Sequence, residues 1–185
     1  MNKYVYVLQV MTMEEEFILE RLKHYNIKTI FPLKMMARTI GKNKSLQYYL
    51  EPLISGYIFV YLSLPQDYLI LNLPCFKGKI IRICGNGHEA VPLTEDEVTF
   101  IKWCDTNLKD VLKLRYDSKN ILKLAELREI KINITGHRFK KKQVCIEFKL
   151  CNQIHKVWIA YTLQGIGDSG NICGVHDDEN VMISA

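Results

Sequence analysis

Cysteine and histidine are the residue types whose spacing comes nearest to a ligating centre in this chain. Cys151-x3-His155 and Cys173-x2-His176 offer two thiolates and two imidazoles, the donors that a four-coordinate zinc ion accepts. Their spacing is irregular, and His155 stands in a strand-like apolar run, so packed thiols and a surface histidine are the competing reading. Gly165-Ile166-Gly167-Asp168-Ser169-Gly170 spells G-x-G-x-x-G, but a dinucleotide site needs that turn to open a helix inside a βαβ unit. The residues that follow have no helical periodicity, and the glycines suit a flexible tail better. There is no serine elbow, phosphate-cradling lysine loop or His-Glu-x-x-His, and the carboxylates are scattered. The side chains point away from an enzyme and from any cofactor, and toward binding.

Charge supplies the first binding candidate. The net charge of +5 is unevenly spread. Arg21 to Tyr49 holds Arg21, Lys23, Lys28, Lys34, Arg38, Lys42 and Lys44 with no acid, and Arg128 to Lys149 holds seven Lys or Arg against Glu129 and Glu147. Gly165 to Ala185 has four acids and no Lys or Arg, so it reads as an acidic flexible tail. A basic block is either a solvated face or a surface for a polyanion such as nucleic acid. Aromatics supply the second candidate. Tyr57 and Phe59, two apart on a strand, would share one face, either as ordinary core residues or as an apolar pocket for a partner helix.

The elements that must position these residues follow from the hydrophobic pattern. Tyr4–Val10 reads as a strand. Thr12 and Glu15 spell a capping box before the helical spacing of Phe17, Ile18, Leu22 and Tyr25. Ile27–Pro32 is extended, and Lys34–Arg38 and Leu46–Leu50 flank a Gly41–Lys44 loop, which makes a basic hairpin. Ser55–Leu62 is a buried-strand run, and Pro65 opens a short helix that ends before Pro74. Lys79–Cys84 is a strand closed by Gly85-Asn86-Gly87. Thr94 and Glu97 spell a second capping box ahead of a longer helix. This is an α+β domain over residues 1–107. Residues 108–123 read as a linker or a helix extension. Ile130–Ile134, Lys142–Leu150 and Ile154–Tyr161 then read as strands of a small all-β module over 124–164, with Val144, Ile146, Phe148 and Leu150 alternating at period two.

The bulk properties agree with that layout. A chain of 185 residues with 48% apolar and 24% charged residues can bury a core and is too short for a large multidomain enzyme. No apolar run approaches the roughly 20 residues of a membrane span, and the N-terminus lacks a signal-peptide pattern, so a cytoplasmic monomer without membrane association is expected. Six cysteines without a Cys-x-x-Cys pair read as reduced thiols.

Six separated stretches carry a more specific message. Glu51-Pro52-Leu53-Ile54-Ser55-Gly56-Tyr57-Ile58-Phe59-Val60, then Gly78-Lys79-Ile80-Ile81-Arg82, then Val91-Pro92-Leu93-Thr94-Glu95-Asp96-Glu97, with Tyr6-Val7-Leu8-Gln9-Val10, Ile30-Phe31-Pro32 and Arg38-x2-Gly41-Lys42 ahead of them, fall in one order and spacing. Over about residues 4–104 the chain resembles the NusG family of transcription elongation factors and its specialised RfaH- and LoaP-type antiterminators. The resemblance implies an N-terminal antiparallel sheet flanked by helices and a regulatory, DNA-binding, non-enzymatic role. It implies a pocket for the clamp helices of the RNA polymerase β′ subunit that includes Tyr6, Tyr57 and Phe59. It also implies a basic face toward non-template DNA that includes Arg21, Lys34, Arg38, Lys42 and Lys44. Tyr68, Leu69 and Ile70 occupy the place of the short helix by which RfaH-type members touch the β subunit, although the His-Thr-Thr triplet is absent.

The C-terminal part matches the family's SH3-like, KOW-type barrel only from Lys141 to Thr162. The Gly-Asp and Gly-Pro turns of the early strands are missing, so the barrel reads as truncated and degenerate. RNA or a ribosomal protein is its candidate partner. Because Ile130, Ile132, Ile134, Val144, Ile146, Val157 and Ile159 are β-branched, a β module is expected here rather than the helical hairpin of RfaH. Two functional readings result. One is an elongation or antitermination factor that bridges the polymerase clamp. The other is a stand-alone RNA-binding regulatory module acting on leader RNA or the ribosome.

Overall fold

The computed structural model describes residues 3–42, 45–63, 66–85, 89–116, 122–124 and 133–163. The acidic tail, the glycine motif at 165–170, Cys173, His176, Lys44 and the Gly85-Asn86-Gly87 turn beyond its first residue lie outside them. Among the described residues no helix is long and apolar enough to cross a membrane. The chain divides into two compact units. The first comprises Met1–Pro32, Pro52–Thr106 and Leu150–Gln153, and the second Leu33–Glu51, Asn107–Lys149 and Ile154–Ala185.

In the first unit β1 (Tyr4–Val10) lies at the centre of a four-stranded sheet ordered β2-β5-β1-β6, with β2 Thr29–Ile30, β5 Tyr57–Leu62 and β6 Ile80–Ile83. All its pairings are antiparallel. Helix α1 (Glu15–His24) buries Ile18 and Leu22 against Tyr6, Leu8 and Val10 of β1 and Ile58, Val60 and Leu62 of β5. These are the even-numbered positions of both strands, as the two-residue period requires. Val5, Val7 and Phe59, on the odd face, are buried too, so the sheet is covered on both sides. In the short helix α2 (Gln66–Leu71) the Asp67 carboxylate accepts the Ser63 N–H at 2.7 Å. Helix α3 (Glu95–Asn107) buries Ile101 and Cys104.

The two spelled capping boxes part company here. Before α3 the expected reciprocal pair forms: the Thr94 N–H donates to Glu97 Oε2 at 2.9 Å and the Glu97 N–H to Thr94 Oγ1 at 3.3 Å. Before α1 it does not form. Met13 has φ +76°, outside the helical region, so the helix starts two residues later than a Thr12 cap requires, and Glu14 takes the cap position without a side-chain bond. The Glu15 carboxylate is buried and accepts the Gly56 N–H at 2.8 Å.

The second unit holds the hairpin β3 (Leu33–Ile40) and β4 (Ser45–Pro52), and a five-stranded sheet ordered β8-β7-β11-β10-β9. Its strands are β7 Leu112–Tyr116, β8 Leu122–Leu124, β9 Asn133–Arg138, β10 Gln143–Leu150 and β11 Gln153–Leu163. A small all-β C-terminal module is therefore present. The segment read as a linker is corrected: it contains β7, which pairs parallel with β11 as Tyr161↔Leu112 and Leu163↔Leu114. Leu112-Lys113-Leu114-Arg115-Tyr116 does alternate, but five residues beside a helix end look like a helix extension until a distant partner strand pairs with them. Leu112, Leu114, Val144, Ile146, Val157, Ile159 and Tyr161 form buried positions of this module. The hairpin expected inside the first domain belongs to this second unit, where the Met35 N–H donates to the Leu108 carbonyl at 2.7 Å.

Candidate functional site

The residues proposed for a polymerase pocket do not all face one way. In the β1–β5 ladder Tyr57 lies opposite Gln9 and Phe59 opposite Val7, whereas Tyr6 lies opposite Val60. Tyr57 and Phe59 thus share the odd face, and Tyr6 points into the core beneath α1. Phe59 is only 1% exposed. Tyr57, at the strand's start, is half-buried. It lines an open groove of about 380 Å³ with Gln9, Val10, Met11, Thr12, Ser55, Gly56 and Ile81. Met11 and Ile81 are exposed, at 50% and 57%, so the groove has an apolar rim in contact with solvent.

Backbone geometry shapes this groove. Gly56 has φ +77°, and a Cβ there would stand 3.0 Å from the Val10 carbonyl oxygen. The Val10 N–H donates to the Gly56 carbonyl at 2.8 Å, while Glu15 takes the Gly56 N–H, so the turn before Tyr57 is fixed from both sides. Arg82 Nε donates to Gln9 Oε1 at 2.8 Å along the same rim. Burial pushes the Tyr57 phenol above its ordinary range, helped by Cys84 and Cys151 and opposed by Arg82, so the hydroxyl stays a neutral donor. The site is thus a groove of mixed lining, with the apolar side chains Met11 and Ile81 at its rim and Gln9, Thr12 and Ser55 among its polar groups.

On α2, Leu69 is 74% exposed, Ile70 packs partly against the core and Leu71 is buried. The side chain of Tyr68 lies outside the described residues. Among the basic candidates, Arg21 sits on α1 in the first unit with its guanidinium 5.2 Å over the Phe17 ring. Lys34, Arg38 and Lys42 are on or at the tip of the hairpin in the second unit. Arg38 bonds Gln47 Oε1 through Nε at 3.0 Å and lies 5.2 Å over the Tyr49 ring. Burial draws the Lys34 ammonium below its ordinary range, with Glu51 opposing.

Of the four residues that carried the zinc reading, only Cys151 and His155 lie among the described residues. Cys151 is half-buried, and burial, with Cys84 and Glu97 beside it, pushes its thiol up to about 12. Among the described residues no three His, Cys, Asp or Glu side chains gather as a metal site. Sequence reasoning named neither Met11 nor Ile81 as site residues. Exposed apolar residues beside Gln9 and Arg82 were the available signal, and it becomes visible only once β1 and β6 are placed edge to edge.

The fold is an α+β domain with a small all-β module in the C-terminal part of the chain. The family model described as "Transcription termination factor nusG" matches residues 3–102, more than half of the chain, and the chain belongs to the NusG family. No curated protein matches it. Membership makes the chain a transcription-related factor of a non-enzymatic family, and implies binding to RNA polymerase in general.

Proposed function

We propose that this protein is a cytoplasmic elongation or antitermination factor that seats the clamp helices of the polymerase β′ subunit on the Tyr57 groove and suppresses pausing or termination. The observation that carries this reading is the solvent-open groove of Tyr57, Met11 and Ile81 inside the region that matches the family. The physical mechanism is mass action. A factor with higher affinity for the closed clamp stabilises that state by the difference, so pause states that need an open clamp are depopulated. The hairpin cations Lys34, Arg38 and Lys42 then meet non-template DNA, while Phe59 and Tyr6 act from the core by holding the strand that presents Tyr57. Departure of the C-terminal half from the family's glycine turns favours a specialised RfaH- or LoaP-like member. The full chain is tested by capture of core polymerase. Tyr57→Ala is expected to weaken capture about 30-fold, as loss of a central aromatic anchor of about 2 kcal/mol would. Undiminished capture by a variant with wild-type circular dichroism would remove the groove from the interface.

A further inference from the structure

The two basic stretches of the sequence lie about a hundred residues apart, yet the second unit brings them side by side. Strand β3 packs against the 3-10 turn Phe139–Lys141 that links β9 to β10. Gln143, 4% exposed, spends its amide on the hairpin: Nε2 donates to the Ala37 carbonyl at 2.8 Å. That buried bond fixes the neighbours of both partners, Arg38 on one side and Lys142 on the other. Arg38, Lys42, Arg138, Lys140, Lys141 and Lys142 are all exposed. Neither contributing stretch, 33–50 or 130–146, contains an Asp or Glu. Each side also carries an arginine over an aromatic ring: Arg38 over Tyr49, and Arg138 3.9 Å over Trp158. Tyr48 on the hairpin is 41% exposed.

From this juxtaposition we infer that the hairpin and the β9–β10 turn form one continuous track for single-stranded DNA, so that the C-terminal module shares the strand with the hairpin. Cations alone would accept any polyanion. Aromatic rings and arginine planes beside them fit a strand whose bases are unpaired and free to stack. The choice of DNA rests on the elongation-factor reading above, in which the hairpin lies beside the displaced non-template strand.

The test uses the full chain and fluorescein-labelled dT20, with U20 as the comparison, followed by anisotropy between 50 and 200 mM salt. Arg38→Gln with Lys42→Gln and, separately, Lys140→Gln with Lys141→Gln are each expected to weaken dT20 binding at least fivefold. Each pair is expected to flatten the slope of log K against log salt by about 1.4, at about 0.7 per phosphate contact on a single strand. One dT20 is expected per chain. The inference is overturned if the Lys140/Lys141 pair leaves affinity and slope unchanged, if two dT20 bind per chain, or if U20 binds more tightly than dT20. Polymerase capture is read independently: no capture by the wild-type chain, or undiminished capture by Tyr57→Ala, together with an intact dT20 profile sinks the clamp reading alone, and the reverse pattern sinks the track alone.

Discussion

Thr12-x-x-Glu15 and Thr94-x-x-Glu97 spell the same motif, and the protein uses them for opposite purposes. At the start of α3 the acid stays local and closes a reciprocal cap with its threonine. Its other oxygen, Oε1, accepts the Cys151 N–H at 2.8 Å. At the start of α1 the acid turns inward and satisfies the Gly56 N–H, 41 residues away. A buried backbone donor left unpaired costs about 1–3 kcal/mol, whereas a surface cap is worth about 1 kcal/mol, so the long-range demand wins where the helix end faces the core. The lesson concerns function as well, since the turn that Glu15 holds is the one that aims Tyr57 into the groove.

Substitutions can break this contrast in a graded way. Glu15→Ala should have the largest effect, about 2–3 kcal/mol of lost stability by urea denaturation, because it removes a charge-assisted bond and strands the Gly56 N–H. A loss below about 0.5 kcal/mol would mean water replaces the carboxylate without penalty. Gly56→Ala should follow at about 2 kcal/mol, since the left-handed backbone disfavours a Cβ by about 1–2 kcal/mol and the Val10 carbonyl crowds it. This variant should also weaken polymerase capture through Tyr57.

Thr94→Ala should cost about 1 kcal/mol, the usual value for a lost N-cap. Thr12→Ala, the same change in the other copy of the motif, should stay within about 0.5 kcal/mol, because the Thr12 side chain is exposed and caps nothing. Equal losses from the two threonine variants would abolish the distinction, and the pair of melting curves measured side by side is the sharpest check on it.

Much of the fold was legible because local pattern and final environment agree. Tyr4–Val10 and Ser55–Leu62 are apolar on both strand faces, and the sheet they form is covered on both sides. The hairpin was announced by its Gly41 loop, and α2 by the residues after Pro65. The β-branched residues of the C-terminal half became strands rather than helices where they are described. β7 was not legible, because its five residues acquire meaning only from a parallel partner about fifty residues on. Of the site, Tyr57 was legible through its motif, while Met11 and Ile81 were not.

The sequence by itself determined most of the strands and helices (though not β7), where charge accumulates, and the family to which residues 3–102 belong. These depend on side-chain periodicity, turn chemistry and motif order, all of which are written within short stretches of chain. Tertiary structure alone decided that Tyr6 faces the core while Tyr57 opens to solvent, that Glu15 leaves its helix cap for Gly56, and that the basic hairpin belongs with the C-terminal sheet through Gln143 and Ala37. A period of two separates the faces of a strand but does not say which is wet when both are apolar. Nor does local sequence record which distant carbonyl or amide will need a partner once water is excluded, and those unmet bonds settled the rest.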